Sequence, residues 1–344
     1  MTRLLVIILF IPFFASAQPK YNSESRKLFN RATKEYNDGK ITLALGLFEE
    51  CVAADARHAE AYLNISTILY DRNQMGDALK NAQKAYSNNK FNPAIYAQLG
   101  KCYYQAMLYD SSAYFLEKAV EMGHDNQFVY IYAGKSYYEM TDYAKAISYF
   151  DKAIAANANN PVSYNSRGKS YFMRGEYDKA EADFEKALEL NPQSVGLYSN
   201  LANCELENDK PDEALEHIKA GMEIADDDGK SRLLLLLGNY YHKIGNLELA
   251  MENFNKAYDL DRNNAQILNN QAAVYLDQDN YEAAIERCNL ALEINPEMME
   301  AYFNRGIANE MLRKVEDACS DWEQAFILGS EQAEIYLNSA TCNE

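Results

Sequence analysis

The chain repeats itself. Small residues recur at one position every 34 residues, at Ala32, Ser66, Gly100, Gly134, Gly168 and Ala202. Two extra residues intervene, and the series resumes at Gly238, Ala272 and Gly306. A second small series runs in phase from Ala44 through Ala78, Ser112, Ala146 and Ala180 to Ala318. A third runs from Cys51 through Ala85, Ala119, Ala153 and Ala187 to Ala325. Between the last two sits a bulkier residue: Phe48, Leu116, Phe150, Phe184, Ile218, Phe254, Cys288 and Trp322, with Ala82 as the exception. Small residues at helix crossings with large ones a turn away predict short helices packed in pairs. One such pair cannot bury its faces alone, so a fixed period means stacked pairs sharing a continuous core. The turn chemistry agrees. Gly39, Gly175 and Gly245 fall mid-repeat, and Asn92-Pro93 and Asn160-Pro161 place a cap and a first helical residue at repeat starts.

These residues resemble the tetratricopeptide repeat family. Its hallmarks stand here as Gly168, Tyr171, Ala180, Phe184, Ala187 and Pro192. The usual aromatic slot of the first helix departs from the pattern at Leu28, Leu234 and Leu268. The resemblance implies an all-α, right-handed α–α superhelix, or solenoid, of about nine repeats. They are placed at 25–58, 59–92, 93–126, 127–160, 161–194, 195–230, 231–264, 265–298 and 299–332, with a capping helix over 333–344. Residues 18–24 read as a linker. The extra residues near Asp226-Asp227-Asp228-Gly229 read as a longer connection, because an acidic triplet alone lacks the spaced ligands of a calcium loop.

The N-terminus changes the expected compartment. Arg3, the apolar run Leu4–Phe14 and Ala15-Ser16-Ala17 form a signal peptide over 1–17, with cleavage expected before Gln18. An exported protein is expected, periplasmic or secreted, with no transmembrane segment after cleavage. The formal charge of −18 argues against nucleic acid, which needs a basic surface. No H-E-x-x-H, C-x-x-C or phosphate-binding loop occurs, and repeats consume the chain beyond the leader. No catalytic residue, metal ligand or cofactor site is therefore predicted. The six cysteines are scattered, but Cys319 and Cys342 lie on helices expected to meet, so one disulfide is predicted between them.

What remains is a surface for a protein or peptide partner. The family resemblance implies that the first helices line a concave groove where partner segments lie. Two sets of residues are candidates on that face. Lys101, Lys135 and Lys169 share one position in three consecutive repeats, with Tyr104, Tyr138 and Phe172 three residues on and on the same helix face. Such a ridge favours an acidic peptide. Asn30, Asn64, Asn200, Asn270 and Asn304 share another position, and an amide offers both donor and acceptor to an extended backbone. The run Leu233–Leu237 is too continuous for one apolar stripe, so Leu235 or Leu236 is expected to line the groove. The competing function is an assembly subunit of an envelope complex that uses its convex face and ends.

Overall fold

The computed structural model describes residues 21–338 and Cys342. The expected leader lies outside the described residues. Nineteen α-helices and no strand occur among those described. They fall into two compact units, 1–142 and 143–344.

The first unit holds α1 (Ser23–Asn37), α2 (Ile41–Ala54), α3 (Ala59–Asp71), α4 (Met75–Asn88), α5 (Pro93–Gln105), α6 (Tyr109–Glu121) and α7 (Gln127–Glu139). The second holds α8 (Tyr143–Ala156), α9 (Pro161–Met173), α10 (Tyr177–Leu190), α11 (Val195–Glu207), α12 (Pro211–Met222), α13 (Asp227–Lys243), α14 (Leu247–Leu260), α15 (Ala265–Asp277), α16 (Tyr281–Ile294), α17 (Met299–Met311), α18 (Val315–Ile327) and α19 (Glu331–Leu337). Odd-numbered helices up to α17 are the first members of pairs and even-numbered ones the second. Within each unit, consecutive helices pack antiparallel across short turns, and the first helices of successive pairs also touch from α3 to α7 and from α9 to α17.

The periodic small residues explain the pairing. A side-chain carbon added to Gly168 would stand 2.8 Å from the Phe184 ring. Gly100 faces Leu116, Gly238 faces Phe254 and Gly306 faces Trp322 in the same way. The missing side chain on the first helix is thus the space that the bulky residue of the second helix fills. Phe184, Phe254 and Trp322 are buried as a result, and each such side chain contributes roughly 1.5–3 kcal/mol on leaving water.

The helix ends follow local chemistry. Asn92 and Asn160 accept hydrogen bonds from the backbone N–H of Ala94 and Val162, with Pro93 and Pro161 as first helical residues. The turn inside each pair needs one residue in the left-handed region. Glycine supplies it at Gly39, Gly175 and Gly245, but Asn73, Met107, Thr141, Asp209, Asp279 and Arg313 adopt it too, at φ 57–61°. Around Asn73 the ending is a Schellman motif: Asn73 N–H donates to the Tyr70 carbonyl and Gln74 N–H to that of Leu69.

Several expectations need correction. Residues 21–24 are not a loose linker. The Tyr21 ring stacks on His58 at 3.8 Å and its hydroxyl donates to Glu60 at 2.6 Å, while Asn22 caps α1. The acidic triplet is not a longer connection. Asp226 caps α13, accepting from Gly229 N–H, and Asp227 and Asp228 sit in the first turn, where the helix dipole favours negative charge. The extra residues therefore lengthen a helix to 17 residues. Of the two leucines expected to line the groove, Leu236 does not, whereas Leu235 is only half-buried. Leu236 is buried against α11 and α12 neighbours, and Leu235 packs on the Phe254 cluster. Flanked by helix pairs on both sides, α13 buries more than one stripe. The final helix runs Glu331–Leu337, two residues ahead of the start read from sequence. Cys319 and Cys342 are joined by a disulfide that ties the chain after α19 to α18, beside the buried Trp322.

Candidate functional site

The lysine set separates on inspection. Lys101 and Lys135 belong to the first unit and Lys169 to the second. In the first unit both ammonium groups lie 5.8 Å from the centre of one ring, that of Tyr132. Lys101 also lies 6.0 Å from the ring of Phe128. Helices α3, α5 and α7 place these groups through their first-helix contacts. Tyr70, from the last turn of α3, shares a 2.9 Å hydrogen bond with the Tyr132 hydroxyl and accepts one from the Gln105 amide at 3.0 Å. Tyr104 packs edge-on against Tyr132, with ring centres 5.5 Å apart. Tyr132 is therefore clamped from two neighbouring helices, and its faces are presented to cations.

The electrostatics of Lys101 are unusual for so acidic a chain. The residue is half-buried and forms no ion pair among the described residues. Burial lowers its pKa below the usual lysine range, opposed by the more distant charge of Asp71. The effect of its charge reaches His124, whose pKa is lowered first by burial and then by Lys101. A cation already stripped of much of its water gains more from a carboxylate than an exposed one does, because the desolvation cost has been met in part by folding. The aromatic faces supply the partial compensation. Phe128, 60% exposed at the start of α7, adds apolar surface at the edge of the same site.

The sequence-predicted residues find different fates. Tyr104 is in the cluster, and burial pushes its hydroxyl up to about 12. Tyr138 lies half-buried on α7. Lys169 is exposed on α9, and Phe172 packs on Tyr177 at 5.4 Å. Tyr132, Tyr70, Gln105 and Phe128 were missed. Tyr132 stands three residues before Lys135, one turn away on the same helix, and that spacing was the signal.

Three of the five asparagines bond from helix to helix. Asn200 donates to Asn165 at 2.8 Å, Asn270 to Asn239 at 2.7 Å and Asn304 to Asn269 at 2.9 Å. Each bond joins neighbouring first helices of the second unit, so these donors hold the stack together. In the first unit, Asn30 is exposed and Asn64 half-buried. The buried Gln98 amide bridges to the Ser66 hydroxyl at 3.1 Å.

Comparison with known proteins agrees with this architecture. Family profiles described as Tetratricopeptide repeat match residues 29–93, 127–160, 161–194, 193–263, 235–298 and 269–333, well over half the chain. The chain belongs to the tetratricopeptide repeat family. It is 32% identical over 134 residues to RNA polymerase II-associated protein 3 of Mus musculus, a match covering 37% of this chain and 20% of that protein. It is 28% identical over 139 residues to the DnaJ homolog subfamily C member 7 homolog of Dictyostelium discoideum, covering 36% of this chain and 26% of that one. The matched stretch thus spans about a quarter or less of these curated relatives. Among solved structures, a tetratricopeptide repeat protein from Parabacteroides merdae aligns with TM-score 0.54 and 18% identity, over 74% of this chain and 99% of that one. The C-terminal part of a repeat protein from Cytophaga hutchinsonii aligns with TM-score 0.53 and 20% identity, over 71% and 99%. These likenesses show the fold.

Proposed function

We propose that this chain is a non-enzymatic protein-interaction scaffold that holds an extended acidic segment of a partner protein against α3, α5 and α7. The observation that carries this reading is Lys101: a half-buried ammonium group without an ion pair among the described residues, set between the Tyr132 and Phe128 rings. A glutamate or aspartate side chain would complete its charge, and the neighbouring apolar side chains of the segment would lie on the exposed part of Phe128. Lys135, on the other side of Tyr132, would add long-range attraction that salt screens.

Export of the chain is part of the same proposal. Its supports are the leader read at residues 1–17 and the Cys319–Cys342 disulfide, since disulfides persist in oxidising compartments. The partner is then a protein of the periplasm or the extracellular space.

The test is fluorescence anisotropy with a labelled peptide in which glutamates alternate with apolar residues. Wild type should bind it with an affinity that falls as salt rises. Lys101→Met should bind more weakly, with a shallower salt dependence. Equal binding by both proteins at low salt would refute this site.

A further inference from the structure

A slot on the second-helix side of the first unit is open where its neighbour is filled. About 480 Å³ of space lies between α2 and α4, over α3. Leu45 and Val52 of α2 form one wall, Tyr62, Ile65 and Leu69 of α3 the floor, and Asn81 of α4 stands in the other wall. The next slot, between α4 and α6 over α5, uses the same repeat positions 34 residues on. There Phe115 stands in place of Asn81, Tyr103 in place of Leu69 and Tyr86 in place of Val52. The Phe115 ring fills that slot. It stacks on Tyr103 with ring centres 5.3 Å apart and meets Tyr86 edge-on at 5.5 Å. In the second unit the same position carries Asp183, His217 and Asp321, each bonded to a floor residue, Arg167, Glu205 or Arg305. Asn81 instead turns its amide back to the Asp77 carbonyl of its own helix at 2.8 Å and leaves the slot open.

The rim is charged but balanced. Glu49, Arg72, Asp77 and Lys84 give two charges of each sign. Arg72 is held by the Thr42 hydroxyl at 2.8 Å. Lys84 lies 5.3 Å from the centre of the Tyr62 ring. At the same repeat position, Lys118 and Lys186 pair with the carboxylate three residues on, Glu121 and Glu189. The residue three on from Lys84 is Ser87. Neither Lys84 nor Glu49, on the opposite wall, has an ion pair among the described residues. Each wall repeats at helical spacing over two turns, about 10 Å, which suits a helix lying along the slot.

We propose that this slot binds an amphipathic helix of a partner protein, which inserts an aromatic ring beside Asn81 and sets a carboxylate against Lys84 and a cation against Glu49. A ring is what the neighbouring slot accepts at these positions, and the flanking charges match the two rim groups that lack an ion pair. The proposal rests on the scaffold reading above and adds a second surface, on the other helices of the pairs. Its ligand is selected by a ring, whereas Lys101 selects acidic charge.

The experiment uses the full mature chain with ¹³C-labelled methyl groups and follows Leu45, Val52, Ile65 and Leu69 by NMR. The probes are two alanine-based helical peptides that carry a glutamate and a lysine on opposite flanks of one central position. That position is phenylalanine in the first and alanine in the second. The four residues' methyl signals should shift saturably with the phenylalanine peptide, and at least fivefold less with the alanine peptide at equal concentration. Lys84→Glu should weaken the phenylalanine peptide severalfold, but not a version with glutamine in place of its glutamate. Asn81→Phe, which copies Phe115, should close the slot and abolish the response. If that variant fails to fold, Val52→Tyr, which copies Tyr86 in the other wall, should still weaken binding severalfold. Absence of shifts, equal shifts with both peptides, or equal effects of Lys84→Glu on the glutamate and glutamine versions overturns the proposal. So does a dimer of the chain alone that is lost in both Asn81→Phe and Phe91→Ser, which would assign the slot to a second copy through its exposed Phe91. Failure here is separable from failure of the lysine site: the acidic peptide should bind Asn81→Phe as it binds wild type, and Lys101→Met should leave the methyl shifts in place.

Discussion

The two units present opposite chemistry on the same helices of the repeat. In the first unit, α3, α5 and α7 turn rings and ammonium groups outward around Tyr132. In the second, α9, α11, α13, α15 and α17 turn amides outward and bond them helix to helix. The interior register is shared: Gly100 against Leu116 in one unit does what Gly168 against Phe184 does in the other. The difference teaches that a few small and bulky positions suffice to stack the helices, and that positions beside them can specialise.

Individual pairs also differ just behind that register. The residue before the helix-crossing small residue is apolar at Ile65 and Leu99 in the first unit and at Leu201 and Leu237 in the second. At Arg167 it is charged, and this side chain donates to the buried Asp183 at 2.6 and 2.8 Å and to Asp151 at 2.6 Å. Arg305 repeats the arrangement with Asp321 and Asn289. Removing one member of a buried pair strands the other, at a cost of about 3–5 kcal/mol. Arg167→Met should therefore destabilise the second unit by about that much, whereas Leu99→Met in the first should cost less than about 1.5 kcal/mol. Urea melts followed by amide exchange in each unit would measure both, and equal losses would erase this distinction.

The shared register predicts likeness instead. Gly168→Ala and Gly100→Ala should each destabilise their own unit by about 1–3 kcal/mol through overpacking, despite alanine's better helix propensity. A marked difference between them would mean that the pairs are not built alike.

Much of this was legible in the period of the sequence. Small residues opposite bulky ones announce their partner, because both lie in one repeat and their spacing fixes the contact. Asn92-Pro93 and Asn160-Pro161 were legible because capping is local. The binding face was not, since its contacts cross between repeats with offsets that no single register shows. Asn200 reaches back 35 residues to Asn165, but Asn270 reaches back 31 to Asn239. Tyr132 meets Lys101 from the next pair while sitting one turn before Lys135. The left-handed turn residues Met107 and Thr141 were equally hidden, because the flanking helices impose a conformation that neither side chain prefers.

Acid–base behaviour should divide the units by sign. In the second, the hydrogen bond that His217 Nδ1 donates to Glu205, with further help from Glu185 and Glu216, raises the pKa of His217, and burial raises that of Glu205. The folded state then holds more protons than the unfolded one. Stability from His217 is complete below its unfolded value of about 6.5 and is lost as pH rises through the folded value. In the first unit, burial lowers the pKa of His58, which caps α3 beneath the Tyr21 ring. Its contribution has the opposite sign, and stability is lost as pH falls below about 6.5. Amide exchange between pH 5 and 8 should show the second unit loosening upward and the first loosening downward. His217→Gln and His58→Asn should flatten the respective slopes.

The central claim is that the acidic partner segment is held by the half-buried lysine at Tyr132, rather than by basic charge wherever it stands on the first helices. Affinity of the labelled acidic peptide for Lys101→Glu and Lys169→Glu, measured side by side at 0.1 M salt, tests it directly. The two variants change net charge identically, and both sites sit at the same position of the repeat. Lys101→Glu should weaken binding at least tenfold, a loss of about 1.4 kcal/mol or more, while Lys169→Glu should remain within twofold of wild type. Equal weakening by the two variants, or none by Lys101→Glu, would contradict the account.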